Sequence, residues 1–414
     1  MNGEDNMEWK DQPITVLKFG GTSVASPERM RHVASIIERI RNEGFRVAIV
    51  ASAMGNTTDD LIAIAESVSM TRDGREMDQL LATGEQQACA LLALTLQQFG
   101  IPAISFTAAQ AGIYAKGFPM EGRIYKIDPK HVVKALNEGK VAVITGFQAV
   151  TDLGDVITLG RGGSDLSCVA LAAAMGAKSC QLLKDVTGIL TADPRVVEKP
   201  VKLKQIGFDE AMEMSVQGAG VVQARSVEMA ARYNLPIYVA SSFVEEEGTW
   251  IMSESVSEGL VIKAVVQDTS IAKVVLLGVP DTPGVAARLF ANLADEGVSS
   301  EMIIQNNMRG GVNDIGFLVK SQCLESAIAV CRKLCDEVEA QGVSFDTEVA
   351  RVSIIGAGIA NHPEIPSKMF RILADAGINI EMIASTSLAL TCVVATQNVD
   401  DAVRTLHKNF IEEA

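Results

Sequence analysis

Three stretches of the chain group residues that can handle a phosphate. In Lys18-Phe19-Gly20-Gly21-Thr22-Ser23, a lysine and two glycines close a short apolar run. Glycines let backbone N–H groups approach phosphate oxygens, a following helix N-terminus adds a favourable dipole, and a lysine supplies charge to a transferring phosphoryl group. The Walker A spacing G-x-x-x-x-G-K is absent here, and a strand ending in Lys-x-Gly-Gly also serves as an ordinary turn. A second stretch, Leu159-Gly160-Arg161-Gly162-Gly163-Ser164-Asp165, again closes a strand-like run and opens a helix. Arg161 can fork onto a carboxylate. Asp165 falls in the first helical turn, where it either caps the helix or orients cations. The third stretch, Lys184-Asp185-Val186-Thr187-Gly188-Ile189-Leu190-Thr191-Ala192-Asp193-Pro194-Arg195, follows a strand and is dense in turn residues. It suits a nucleotide's ribose and phosphates, and equally a surface hairpin. Two glycine turns at strand ends in one sheet favour a phosphate site more than either alone.

The elements that must position these turns alternate. Ile14–Lys18 reads as a strand, Pro27–Glu43 as a helix and Arg46–Ala51 as a strand. Met77–Phe99 reads as a long helix, Ile101–Phe106 and Val141–Gly146 as strands, Gly163 to Ala174 as a helix, and Ser179–Lys184 as a strand. A strand-then-helix rhythm predicts a mainly parallel sheet covered on both faces, with ligands outside the carboxyl ends of the strands.

Beyond the acidic loop at Glu245–Gly248 the pattern changes. Leu289–Ile303 and Met369–Ile383 repeat at an offset of 80 residues with about half of the positions identical. Strands at Lys273–Gly278 and Arg351–Gly356 precede the two copies. Strands at Ile315–Lys320 and Thr391–Ala395, then helices at Leu324–Leu334 and Val399–Asn409, follow them. Each copy therefore predicts a ferredoxin-like βαββαβ unit. Such a pair either buries a small molecule between its members or simply packs.

Composition narrows the function. With 51 acidic against 36 basic residues among 414, the net charge of -15 argues against nucleic acid or an anionic membrane as partner. No apolar run reaches the ~18–20 residues of a membrane span. The first 12 residues are polar and acidic, which predicts a flexible tail and no signal peptide. Seven cysteines without C-x-x-C spacing, and only four histidines, predict buried thiols in a reducing cytoplasm rather than disulfides or a zinc site.

Taken in order, these three stretches, together with Ala51-Ser52-Ala53-Met54-Gly55-Asn56-Thr57-Thr58-Asp59 and Ala82-Thr83-Gly84-Glu85-Gln86, resemble the aspartate kinase family of amino-acid kinases. The repeats resemble its tandem ACT regulatory domains: V-P-D-T-P-G-V-A (279–286) and M-I-I-Q-N (302–306) the first, G-I-N-I-E-M-I (377–383) the second. The resemblance covers nearly everything from Ile14 to Phe410. It implies a three-layer sandwich, with a flexible tail over 1–12, a catalytic domain over 13–248, and ACT domains over 260–345 and 346–414. It implies transfer of the ATP γ-phosphoryl group to the L-aspartate β-carboxylate, with Mg²⁺ bridging the phosphates. Feedback by lysine or threonine would act across a homodimer or higher homo-oligomer built through the ACT domains.

Residue by residue, the resemblance assigns Lys18 to the transferring phosphoryl group and Asp165 to orienting the cations. Gly20, Gly21, Ser23, Gly162 and Gly163 would cradle the phosphates. Arg161 would pair with the substrate α-carboxylate and Glu85 with its α-ammonium, and Ser52, Thr57 and Ser164 would complete that pocket. Asp185, Asp193 and Arg195 would line the ATP side. Asp281, Gln305 and Asn306, faced by Asn379 and Ile380, would hold the effector, because the second copy reads Asn361-His362-Pro363-Glu364 where a Pro-Gly turn is expected. No metal site made of protein ligands alone is implied.

The chain departs from the family pattern in two places. Leu183-Lys184-Asp185 stands for Tyr-Thr-Asp, and Leu190 takes the place of a tyrosine that helps hold the nucleotide. Gly218-Ala219-Gly220-Val221-Val222-Gln223-Ala224-Arg225 stands for G-A-K-V-L-H-P-R, whose lysine contacts nucleotide phosphate. The expectation is that Lys184 replaces the cation missing at Gly220. The alternatives are a weakened or silent amino-acid-sensing subunit, or a kinase for another acidic amino acid.

Overall fold

The computed structural model describes residues 9–69, 74–253, 261–307 and 311–413. They form two compact units. The first comprises the chain to Ile189, Lys202–Ser215 and Gly220–Ser257, and the second comprises Leu190–Val201, Val216–Ala219 and Glu258–Ala414.

An eight-stranded sheet organises the first unit, in the order Gln205–Ile206, Thr249–Ile251, Ile237–Ser241, Cys180–Lys184, Ile14–Phe19, Arg46–Ala51, Val141–Thr145, Ala103–Phe106. All neighbours are parallel except Ile237–Ser241 against Thr249–Ile251. Strands buried on both faces read as continuous apolar runs, and Ile14–Phe19 and Arg46–Ala51 are buried from their second residue onward. Leu17, Phe19, Ile49 and Ala51 pack with Val33 and Ile37 of helix Pro27–Asn42 and Leu92 of helix Gly74–Gln98. The alternate positions, Lys18 among them, face the other side, where helix Gly163–Ala174 crosses the same two strands. The expected strands and helices are present, with ends that coincide or shift by at most four residues. A second sheet was not anticipated: Arg123–Ile127, Ile113–Lys116, Gln148–Val150 and Val156–Thr158. Its strands are three to five residues long, too short to show a period in sequence. The tail expected over 1–12 falls mostly outside the described residues, but Trp9 is held beneath the Arg41 guanidinium, 4.6 Å from its ring centroid.

The second unit contains two antiparallel four-stranded sheets, as the repeat predicts, each with two helices. One runs Ser300–Asn307, Val312–Lys320, Ile271–Pro280, Gly342–Asp346. The other runs Val261–Asp268, Val349–Ala357, Ala389–Ala395, Met382–Ser385. Here the structure corrects one expectation. Val261–Asp268 lies inside the span expected for the first copy, yet it pairs along its length with Val349–Ala357 of the second. The edge of Val349–Ala357 is thus filled by a strand that precedes the first copy.

This interleaving makes a thermodynamic prediction. Val265 and Ile354 are register partners in one apolar core, whereas Leu334 belongs to the core of the first copy. Val265→Ala and Ile354→Ala should be non-additive in urea unfolding by about 0.5 kcal/mol or more, while Val265→Ala and Leu334→Ala should add within about 0.5 kcal/mol. The opposite pattern would place Val261–Asp268 with the first copy.

Candidate active site

The carboxyl ends of four adjacent strands converge on one buried charge cluster. Lys18 comes from Ile14–Phe19 and Lys184 is the last residue of Cys180–Lys184. Asp165 lies in the first turn of helix Gly163–Ala174 and is 2 % exposed. Its Oδ1 is 3.0 Å from Lys18 Nζ, and its Oδ2 accepts from Lys184 Nζ at 2.6 Å. Burial penalises the Asp165 charge, but the combined pull of Lys18 and Lys184 wins and holds its carboxyl below the usual range. Burial also lowers the Lys184 ammonium, an effect Asp165 partly offsets. Lys184 Nζ makes a second hydrogen bond, to the carbonyl of Val221. At this helix the N-cap residue is Gly162, and the Asp165 carboxylate lies between two ammonium groups.

Close backbone approach explains the glycines. A Cβ on Gly21 would stand 2.7 Å from the Ala53 carbonyl, and the Gly21 carbonyl accepts from Gly55 N–H at 3.0 Å. The two turns thus lie against each other only because Gly21 has no side chain. Gly162 has φ +73° and precedes the helix that carries Asp165. A Cβ on Gly146, at the end of Val141–Thr145, would meet Ser164 Oγ at 2.7 Å. Ser23 is buried, and its hydroxyl is shared with Ser242 at 2.7 Å; Ser242 in turn donates to the Lys184 carbonyl.

Glu85 extends the site on the long helix. It is 3 % exposed; its Oε1 accepts from Ala53 N–H at 3.0 Å, and its Oε2 has no partner. Burial drives its pKa up to about 7, with the Ala53 bond opposing. A buried carboxylate oxygen left unpaired is costly until a donor reaches it. Thr57 starts the neighbouring helix, with its hydroxyl on the Met54 carbonyl at 2.6 Å. Ser52 N–H donates to the Phe19 carbonyl at 3.2 Å, fixing this turn beside Lys18. Arg161 is exposed on the second glycine turn, with its backbone carbonyl bound by Gln223 Nε2 at 2.7 Å. Asp185 is exposed directly after Lys184.

Comparison with known proteins now decides the family. Residues 13–241 match the amino acid kinase family, and residues 273–334 and 352–410 match the ACT domain. The aspartokinase of Thermus thermophilus is 39% identical over 399 residues, covering 96% of this chain and 98% of its own length. That of Geobacillus stearothermophilus is likewise 39% identical, with 96% and 97% covered. The chain belongs to the aspartokinase family. The aspartate kinase class expected from the motifs is thereby borne out. Among solved structures, E. coli aspartokinase III in complex with aspartate and ADP superposes with a TM-score of 0.82 over 96% of this chain and 99% of that one, at 22% identity, which bears out the expected fold.

Not every candidate residue joins the cluster. Asp193 and Arg195 fall in the second unit, where Arg195 forks onto Asp193 at 2.6 to 3.1 Å. The segment that carries them is anchored by Ala192 and Val197 in the core of the second ACT copy. Of the effector candidates, Asn306 and Ile380 line one cavity of about 360 Å³ within the second unit, together with Lys273, Asp314 and Glu381. Asp281 instead accepts from Asn313 Nδ2 at 3.0 Å, and Gln305 and Asn379 are exposed outside the lining. Sequence reasoning missed Ser242, Gly146 and the Val221 carbonyl. The first follows a strand that carries no glycine signal, and the last acts through its backbone, which no residue type reveals.

Glu85 gives a pH prediction. Its folded pKa is raised above the unfolded value, so its ionisation weakens the fold progressively as pH rises from about 4.5 to about 7. Glu85→Gln keeps the acceptor for Ala53 and removes that loss. The melting temperature of Glu85→Gln relative to the parent should therefore climb across this window and level off above it, an effect of at most about 3 kcal/mol. A difference independent of pH would show that Glu85 does not titrate there.

Proposed function

We propose that the chain catalyses ATP-dependent phosphorylation of the β-carboxylate of L-aspartate, and that an amino acid bound to its ACT copies regulates this reaction. A β-carboxylate oxygen attacks the γ-phosphorus, the bond to the β–γ bridging oxygen breaks, and ADP leaves with the electron pair. A carboxylate is already nucleophilic, so no general base is needed, and the protein's contribution is position and charge. Lys18 and Lys184 carry two positive charges against the one negative charge of Asp165, leaving a net positive centre for the transferring group. Gly20, Gly21, Gly162 and Gly163 offer backbone approach to the phosphates. The orphaned Oε2 of Glu85 receives the substrate ammonium, and exposed Arg161 receives its α-carboxylate.

Magnesium enters with the nucleotide. The ion would be held chiefly by phosphate oxygens, with the exposed Asp185 carboxylate at hand. When bound, it neutralises charge on the phosphates.

The observation that carries this reading is the bond from Lys184 Nζ to the carbonyl of Val221. It brings the ammonium to the backbone one residue from Gly220, the position at which the family pattern has its phosphate-contacting lysine. Replacement of the missing cation by Lys184 favours a working kinase over a silent subunit. For regulation, the cavity shared by Asn306 and Ile380 offers a zwitterion the Asp314 carboxylate and the Lys273–Glu381 ion pair, whose partners it would have to share. We place the lysine or threonine effector there. Assembly as a homodimer through the ACT copies follows from the family expectation. Cytoplasmic operation agrees with seven free thiols, and no described helix is long and apolar enough to cross a membrane.

A hydroxamate-trapping assay tests the reaction. Product should form with ATP and aspartate and fall steeply with glutamate; preference for glutamate, or no product with either, would overturn the proposal. Lys184→Ala should lower turnover on the order of 10²–10³-fold. Adding Gly220→Lys should recover part of it, since a side chain at Gly220 meets nothing within 4 Å. Unchanged kinetics in Lys184→Ala would refute the substitution of one lysine for the other. Lysine or threonine should inhibit the parent chain, and Asn306→Ala should relieve that inhibition without altering the uninhibited rate.

A further inference from the structure

A second cavity in the first unit, of about 600 Å³, lies between helices Gly163–Ala174 and Ala224–Arg232 and strand Arg123–Ile127. Its volume is in the range of small-molecule sites. Leu166, Ala170 and Met229 supply apolar wall. Four cations, Arg123, Lys126, Arg225 and Arg232, line it against one acid, Glu228, in a chain whose net charge is -15. The guanidinium groups of Arg123 and Arg232 have neither ion-pair nor hydrogen-bond partners among the described residues. Arg225 directs both terminal nitrogens to backbone carbonyls, Leu159 and Gly122, each at 2.8 Å. Burial depresses the Arg225 pKa, and the neighbouring charge of Arg123 depresses it further, while Glu228 and Glu121 pull the other way. Like charges crowded over a half-buried wall are relieved when an anion arrives.

Arg225 also connects this cavity to the glycine turn of the active site. The Leu159 carbonyl it holds lies two residues before Arg161, and the Arg161 carbonyl is held by Gln223, two residues before Arg225.

We propose that this cavity is a second ligand site, for a small organic anion with an apolar or aromatic body and a phosphate or carboxylate group clasped by Arg123 and Arg232. Its occupant biases the 159–163 turn through Arg225, so it changes the Michaelis constant of the amino-acid substrate more than that of ATP. The kinetic half of this statement rests on the activity proposed above; the binding half does not.

Calorimetry on the full chain, saturated with ADP and aspartate, tests the binding half with two probes: phenyl phosphate for the phosphate class and phenylacetate for the carboxylate class. One probe or both should bind at about one per chain. The double variant Arg123→Ala, Arg232→Ala should weaken that binding at least about tenfold. Its thermal melt and its kinetics without probe should stay at parent values. Failure of both probes to bind, displacement by ADP, or binding retained in the double variant would overturn the site. Should probes bind as expected yet leave both Michaelis constants unmoved in an active enzyme, the coupling through Arg225 is wrong.

Discussion

The first unit depends on one carboxylate held between two ammonium groups. A charge as buried as that of Asp165 is costly unless it is paired, and here it is paired twice, by Lys18 and Lys184. The arrangement is mutual. Without Asp165 the two lysines would be adjacent like charges in a poorly solvated place; without either lysine the carboxylate would lose a partner it cannot replace with water. The cluster therefore fixes the ends of two neighbouring parallel strands relative to the helix that crosses them. After pairing, the cluster keeps one net positive charge at the carboxyl ends of these strands.

Backbone proximity is the second constraint, and it acts through the absence of atoms. Gly21 lets the Ser52–Gly55 turn come within hydrogen-bond distance of the first strand's end, and Gly146 leaves room for Ser164 beneath the next. The same crowding buries Glu85, whose Oε1 accepts from the Ala53 N–H of that turn and whose Oε2 has no hydrogen-bond partner among the described residues, a costly state for a buried carboxylate oxygen.

Much of this was legible in the residues. The rhythm of apolar runs gave the parallel sheet, because strands covered on both faces cannot hide their composition. Lys18 and Asp165 were singled out because they sit in glycine turns at strand ends, and Lys184 because the chain departs there from the family pattern, whose lysine it also lacks at Gly220. The repeat at an offset of 80 residues disclosed two similar units. What stayed hidden was pairing over long separations. Nothing in Val261–Asp268 says that its partner is Val349–Ala357 rather than a strand of the copy it precedes, since an alternating apolar pattern fits either edge. The roles of Ser242 and Val221 were equally silent, one a common hydroxyl and the other a main-chain carbonyl. Asp193 and Arg195 were assigned to the ATP side by the family resemblance, and the chain enters the second unit before reaching them.

That passage has mechanical content. Within eight residues the chain goes from Lys184, which grips Asp165, to Ala192, which is embedded in the core of the second ACT copy. Thr191 is locked there by its hydroxyl on fully buried His407 at 2.8 Å and by its carbonyl on Val265 N–H at 2.8 Å. A second excursion, Val216–Ala219, is held in the same unit by Arg351, which donates to the Val216 carbonyl and pairs with Asp268 at 3.0 Å. Two residues after it comes Val221, the other acceptor of the Lys184 ammonium. Both segments that flank this lysine's contacts thus continue into the second unit, where side-chain and backbone hydrogen bonds fix them to its second sheet.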